Sequence, residues 1–230
     1  MAHVSGTDGH DRLARWSKSL VDGGDGNDTV DIWSDSAVEG GDGDDTIRAW
    51  SNTVVLGGNG NDSIDAWSDS QVDGGAGNDV INAWANSRVN GGEGDDWISA
   101  ASNSVVDDGS GNDTLTAVSS VVSGGTGNDT IYDKHGSTVL FSAGDGKDTV
   151  YASRDTTLRL GEGLTADKMQ VEVSGSTATI SFGDGSDQIT LHLGYGSPVT
   201  VAFADGTTTE IKDNRPMIRL TQPPEVRRLA

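Results

Sequence analysis

The sequence predicts an all-β fold: a right-handed, flattened parallel β solenoid of 17-residue coils with one glycine- and aspartate-rich edge, followed by a β-strand capping region. Three observations predict it. A glycine- and aspartate-rich hexapeptide recurs at a fixed spacing, aliphatic residues sit at fixed offsets behind each copy, and apolar residues are too few for an ordinary core. Only 33% of the 230 residues are hydrophobic and 5% aromatic, while 33 are glycine, about twice the usual share of about 7%.

The repeat comes first, because its period sets the coil. GGDGND stands at 23–28, GGDGDD at 40–45, GGNGND at 57–62, GGAGND at 74–79 and GGEGDD at 91–96, each 17 residues after the last. Degenerate copies extend the array: GTDGHD at 6–11, DGSGND at 108–113, GGTGND at 124–129 after a one-residue deletion, and AGDGKD at 143–148. That makes nine turns. A flexible Gly-rich linker would not hold such a phase.

Each turn is followed by a short strand whose second residue is aliphatic: Leu13, Val30, Ile47, Ile64, Ile81, Ile98, Leu115, Ile131 and Val150. Two residues on come mostly small side chains (Ile32, Ala49, Ala66, Ala83, Ala100, Ala117). Before the next turn stands another aliphatic (Val21, Val38, Val55, Val72, Val89, Val106). Alternation points these residues inward, and two strands plus two turns in 17 residues make one coil. Successive coils then stack at about 4.8 Å.

Charge narrows the partners. Fifteen Lys and Arg against 36 Asp and Glu give a net charge of −21, so the chain repels nucleic acid and anionic membrane surfaces. Residues 1–150 hold 7 basic and 26 acidic side chains, and 151–230 hold 8 and 10. Low hydrophobicity with this charge is the composition of a disordered chain unless a cation supplies cohesion. Cysteine is absent, which removes disulfides and thiolate metal sites, and no apolar run suits a membrane-spanning helix or a signal peptide.

Glycines let the backbone of such a turn bring carbonyls toward a common point, and the Asp adds a hard anionic oxygen. An all-oxygen, flexible cage suits Ca²⁺ better than Mg²⁺ or a transition metal. Residues 6–150 strongly resemble the haemolysin-type calcium-binding repeat of the RTX (repeats-in-toxin) proteins, which form a parallel β-roll. The resemblance implies that each ion lies between stacked turns, held by the second, fourth and sixth residues of one turn and the first, third and sixth of the next. Gly9 and Asp11 would then close with Gly23, Asp25 and Asp28. Gly24, Gly26 and Asp28 would close with Gly40, Asp42 and Asp45, Asp42 through its carbonyl. Gly41, Gly43 and Asp45 would pair with Gly57, Asn59 and Asp62, then Gly58, Gly60 and Asp62 with Gly74, Ala76 and Asp79. Gly75, Gly77 and Asp79 would pair with Gly91, Glu93 and Asp96, and Gly92, Gly94 and Asp96 with Asp108, Ser110 and Asp113. Gly109, Gly111 and Asp113 would meet Gly124, Thr126 and Asp129, and Gly125, Gly127 and Asp129 would meet Ala143, Asp145 and Asp148. One motif per coil implies a single column of at most eight ions, each last Asp serving two. Thr7, Asp108, Ala143 and Lys147 depart from the motif, the deletion before Gly124 is expected to strain stacking on Asp113, and nothing follows to close over Asp148.

At the eleventh position of five consecutive coils stand Trp16, Trp33, Trp50, Trp67 and Trp84, followed by Ala101, Val118 and Lys134. The position faces outward at the calcium-free edge, before a Ser-x-Ser turn. It reads as a structural ladder of stacked indoles or as a flat ligand strip for sugar rings. His3, His10, His135 and His192 show no metal-ligand spacing.

From Thr156 the 17-residue phase gives way to alternating strands over 157–160, 169–173, 177–182, 188–193 and 199–203, with one helical turn at 165–169. LRLGEGLTADKM, TISFGDGSDQITLHL and VAFADGTTTEI look like the haemolysin-type calcium-binding related region that follows such repeats. In GDGSD at 183–187, Asp184 and Asp187 could hold an extra ion, but the segment reads first as a plain hairpin turn. The expected division is 1–150 β-roll, 151–211 cap and 212–230 mobile tail.

The function this implies is a non-enzymatic, monomeric module that folds on Ca²⁺ after unfolded type I secretion, as part of a larger secreted or cell-surface protein. An adhesive, glycan- or cell-surface-binding module using the tryptophan strip is the alternative. A polysaccharide-active solenoid enzyme is a minor one, because HExxH and GxSxG are absent.

Overall fold

The computed structural model describes residues 2–194 and 197–214, and these form two sheets of 13 and 12 strands. Each coil gives one strand to each sheet. The strand entering a glycine turn, such as Val54–Asn59, joins the first sheet, and the strand leaving it, such as Ser63–Ser68, joins the second.

The 17-residue phase fixes the register. Val30 pairs with Ile47, Ile47 with Ile64, Ile64 with Ile81 and Ile81 with Ile98 in one sheet, and Val38 with Val55 and Val55 with Val72 in the other. All are parallel and buried. The core is therefore a narrow slot filled by three side chains per coil, and Leu13, near the first edge, packs against it only partly buried.

The second edge turns through residues in left-handed conformation: Lys18, Asp35, Asn52, Asp69, Asn86, Asn103 and Ser119. A buried hydroxyl follows each one. Ser87 Oγ donates to Ala85 O at 3.1 Å and accepts from Ser70 N at 3.4 Å, and Ser70 Oγ donates to Ser68 O at 3.0 Å. The buried side chains of this edge are neutral hydroxyls bonded to the backbone of their own and the neighbouring coil.

The deletion before Gly124 lies in this second-edge turn, where Val118-Ser119-Ser120 replaces the four residues 101–104. The glycine edge is disturbed as expected: the strand that is continuous in the earlier coils is interrupted at Gly124 and Gly125, between Val121–Ser123 and Thr126–Gly127. Asp113 N nevertheless still donates to Asp129 Oδ1, at 2.9 Å, and the other sheet shows an irregularity between Ala117 and Val118.

Residue 150 is no break in the ladders. Thr138–Phe141 pairs in parallel with Thr157–Leu160, which pairs with Val199–Ala202, and Lys147–Tyr151 pairs with Asp187–His192. Antiparallel strands Met169–Ser174, Thr177–Phe182 and Thr208–Ile211 then complete the two sheets at this end. Parallel coil therefore gives way to hairpin, which ends the stack. Met169 N donates to Thr165 O at 3.1 Å, the expected single helical turn. Of the tail expected from 212 onward, residues 215–230 lie outside the described residues. Lys212 pairs with Glu210 at 2.8 Å and Asn214 N donates to Gly175 O at 3.2 Å.

Candidate metal centre

The hexapeptide divides in two. Its first three residues continue the strand, as Gly40, Gly41 and Asp42 do in Ala37–Asp42, and only the last three turn the chain. Gly41 and Gly43 take φ of 114° and 124°, which L side chains avoid, so the second and fourth glycines answer a conformational need.

The first glycine answers a spatial one. A Cβ on Gly57 would lie 2.2 Å from the Gly74 carbonyl oxygen and 2.4 Å from Asp62 Oδ2, and one on Gly40 would lie 2.3 Å from both Gly57 O and Asp45 Oδ2. The last carboxylate of one turn and the first carbonyl of the next thus face each other over a bare Cα. Any side chain would fill this cradle.

The last Asp of each turn is held in the same way along the column. Its Oδ1 accepts the backbone N–H of the equivalent Asp one coil earlier: Asp28 to Asp45 at 2.7 Å, Asp45 to Asp62 at 2.8 Å, Asp62 to Asp79 at 2.8 Å, Asp79 to Asp96 at 2.7 Å and Asp96 to Asp113 at 2.8 Å. The other oxygen, Oδ2, is buried without a partner in Asp28, Asp45, Asp62, Asp79, Asp96, Asp113 and Asp129. Among the described residues, every buried side-chain oxygen lacking a partner lies on this edge, the remaining two being those of Asp108.

Burial pushes these carboxyls up, the N–H donor holds them down in part, and neighbouring carboxylates push them up again. Asp62 and Asp96 reach about 6 and Asp79 about 7. Asp129 reaches about 6 and Asp148 about 8 by the same causes, and Asp45 and Asp113 are raised. Asp108 has no such N–H donor: burial, then Asp113, Asp96, Asp129 and Asp107, push it to about 9.

One buried carboxylate provides the control. Asp133 sits at the inward position held by Ala117 one coil earlier, 4% exposed. It accepts from His135 N at 2.9 Å, Ser137 N at 3.1 Å, Ser153 Oγ at 3.0 Å and Thr156 Oγ1. This fold satisfies a buried carboxylate with protein donors where no cation is needed. On the glycine edge it leaves one oxygen of each open, which is the chemistry of a hard-cation ligand set.

The other sequence-predicted positions fall into groups. Asp25, Asp42, Asn59 and Glu93 keep their side chains exposed and Ala76 is half-buried. The third-residue carbonyls of Asp42, Asn59, Ala76, Glu93 and Ser110 accept ladder bonds from Gly26, Gly43, Gly60, Gly77 and Gly94 at 2.6–2.8 Å, one lone pair being left over. Carbonyls of Gly24, Gly41, Gly58, Gly75 and Gly92 abut the equivalent glycine one coil on. Ser110 pairs with Thr126 and Gly111 with Gly127 across the deletion. At the ends the turns close on themselves. Thr7 N and Oγ1 donate to Asp11 Oδ2 at 2.6 and 2.8 Å beside Gly9, Ser142 N donates to Asp145 Oδ2 at 2.6 Å beside Ala143, and Asp148 stands in register with Ile189 rather than another carboxylate.

The tryptophan positions form a continuous ladder. Neighbouring indole centroids from Trp16 to Trp84 lie 4.9, 4.2, 6.2 and 5.2 Å apart, with interplanar angles of 16° or less. A second ladder went unread in the sequence: Tyr132, Tyr151 and His192 stack at 4.7 and 4.4 Å, in register on the other side of the deletion. Its signal was the recurrence of rings one residue after the inward aliphatic.

Residues 20–31, 49–81, 69–98, 84–103 and 120–133 match the family model of the RTX calcium-binding nonapeptide repeat. No curated protein matches. Among solved structures, the crystal structure of extracellular lipase LipA from Serratia marcescens is similar over 73% of this chain, at 19% identity and a TM-score of 0.38. The chain spans 39% of the length of that one. The glycine-edge carboxylates fit a hard cation and the matched residues carry RTX calcium-binding repeats, which supports Ca²⁺ as the metal of this edge of the β-roll.

Proposed function

We propose that this chain is a calcium-triggered folding module of a secreted protein. It leaves the cell unfolded by a type I secretion route and winds into its roll where calcium is plentiful. The observation that carries this reading is the file of buried, unpartnered Oδ2 atoms from Asp28 to Asp129. Seven such carboxylates, stacked one per coil, oppose folding until a cation answers them. Ions lie between successive glycine turns in one column of up to eight, each last Asp serving the ion on either side. The module itself is non-enzymatic and monomeric, and any catalytic activity resides elsewhere in a larger protein.

Direct calcium binding by flow dialysis tests this reading. Binding reaches several ions per chain, cooperatively and in the range of about 10⁻⁴–10⁻³ M, and Mg²⁺ does not replace calcium. Independent sites filled at micromolar calcium, or equal binding of Mg²⁺, would contradict shared ligands.

A second reading, a sugar-binding strip, draws on the exposure of Trp16 and Trp84 (75% and 54%) and on a 330 Å³ hollow beside Trp84 lined by Asp65, Asn82, Ser99 and Ala101. Close stacking of the indoles on one another favours the structural role, since rings engaged with their neighbours offer a ligand mainly their edges.

A further inference from the structure

One turn departs from the motif in the direction of more charge. At 108–113 the first glycine is replaced by Asp108, which is 0% exposed with neither carboxylate oxygen partnered. A Cβ on Gly91 would meet Asp108 Oδ1 at 2.2 Å, Asp108 O at 2.5 Å and Asp96 Oδ2 at 2.5 Å, so the side chain enters the cradle that elsewhere holds one carbonyl and one carboxylate. Oxygens of Asp96, Asp108 and Asp113 all lie within 4.8 Å of one another. Among the described residues this is the one such triad.

We propose that the gap between the turns at 91–96 and 108–113 is a three-carboxylate cation site, the tightest of the column, where the first ion binds and from which the roll winds outward. The proposal rests on the calcium reading of the column and adds a side-chain ligand that the repeat does not supply. Asp96 and Asp113 are each shared with a neighbouring gap, whereas Asp108 belongs to this gap alone. The site therefore has one more unshared negative charge than any gap from 23 to 96, and ligand charge count is what tunes affinity in oxygen cages. It also stands next to the deletion, in the stretch where the seam is least regular and an early anchor is most useful.

Trp97 follows Asp96 directly, while the stacked tryptophans stand at the opposite edge, a strand's length of about 16 Å away. Tb³⁺, a hard cation of calcium-like size, is therefore lit by Trp97 when it sits in either gap that Asp96 borders, and the Asp108 variants tell the two apart. Titrating the full chain with Tb³⁺ should give emission with the first equivalent, and Trp97→Phe should remove it. Asp108→Gly, which restores the regular motif, should still fold in saturating calcium by circular dichroism, yet bind the first ion at least about tenfold more weakly. Asp108→Asn keeps the shape and reads the same quantity should the glycine variant not fold. An unchanged or tighter first ion in these variants would overturn the proposal, since a buried acid that is not a ligand only repels and its removal helps. So would a first equivalent of Tb³⁺ that leaves Trp97-dependent emission dark. A parent chain whose spectrum ignores calcium altogether would instead overturn the column reading, and this site with it.

Discussion

At the scale of single residues, two aspartates at the same motif position differ in what already bonds them. Asp62 Oδ2 is buried and unpartnered, while Asp11 Oδ2 accepts two bonds from Thr7 at the open end. Asp62→Ala should therefore raise the calcium midpoint of folding severalfold, and Asp11→Ala should barely move it; equal midpoints would argue against a stacked column. Gly57→Ala should cost about 1–3 kcal/mol by overpacking at Gly74 O and Asp62 Oδ2, read as a lower melting temperature in saturating calcium. The carboxyls also fix a pH dependence. Their folded values, from about 6 for Asp62 to about 9 for Asp108, lie above the ordinary 3.8. The metal-free fold is thus favoured by protonation: that stability is present below about pH 4 and is lost as pH rises through 6 to 9. In EGTA, acidification from pH 8 to 5 should increase β structure, while in calcium the midpoint should rise over the same interval as protons compete with the ion. A metal-free spectrum unchanged between these pH values would show that the carboxylates are not what holds the chain open.

At the scale of the element, the strand pattern was legible because one offset recurs. Aliphatics such as Ile47, Ile64 and Ile81 return every 17 residues and admit one register, since a slip of one residue would turn every side chain to the other face. The hexapeptide was less legible: its spacing marks a turn, but that its first half stays in the sheet depends on ladder bonds between coils. Asp108 read as a flaw in the motif, because only the fold reveals that its carboxylate enters the gap below. Asp133 and the Tyr132–Tyr151–His192 ladder were unread, for their partners Ser153, Thr156 and His192 come from coils outside the 17-residue phase. The tryptophan ladder yields its own prediction. Replacing Trp50 and Trp67 together by Ala removes stacking worth about 0.5–1.5 kcal/mol for each pair and should raise the calcium needed for folding. An unchanged midpoint with loss of retention on a glycan surface would reassign the strip to adhesion.

For the whole molecule, the two edges divide the labour. One buries hydroxyls bonded to the backbone of their own and the neighbouring coil, and the other gathers carboxylates that only a cation can satisfy. On the proposed reading a three-residue-wide core, with 26 acidic against 7 basic side chains over residues 1–150, makes the roll depend on that cation, and it is expected to order as a unit rather than coil by coil. The hairpins after residue 168 close the last coils and bury Ile180, Ile189 and Leu191. The most direct measurement is the far-ultraviolet circular dichroism of the full chain at neutral pH, first in EGTA and then in excess calcium. The column predicts a disordered spectrum that converts reversibly and cooperatively to a β spectrum on adding calcium. The same β spectrum in both conditions would contradict it.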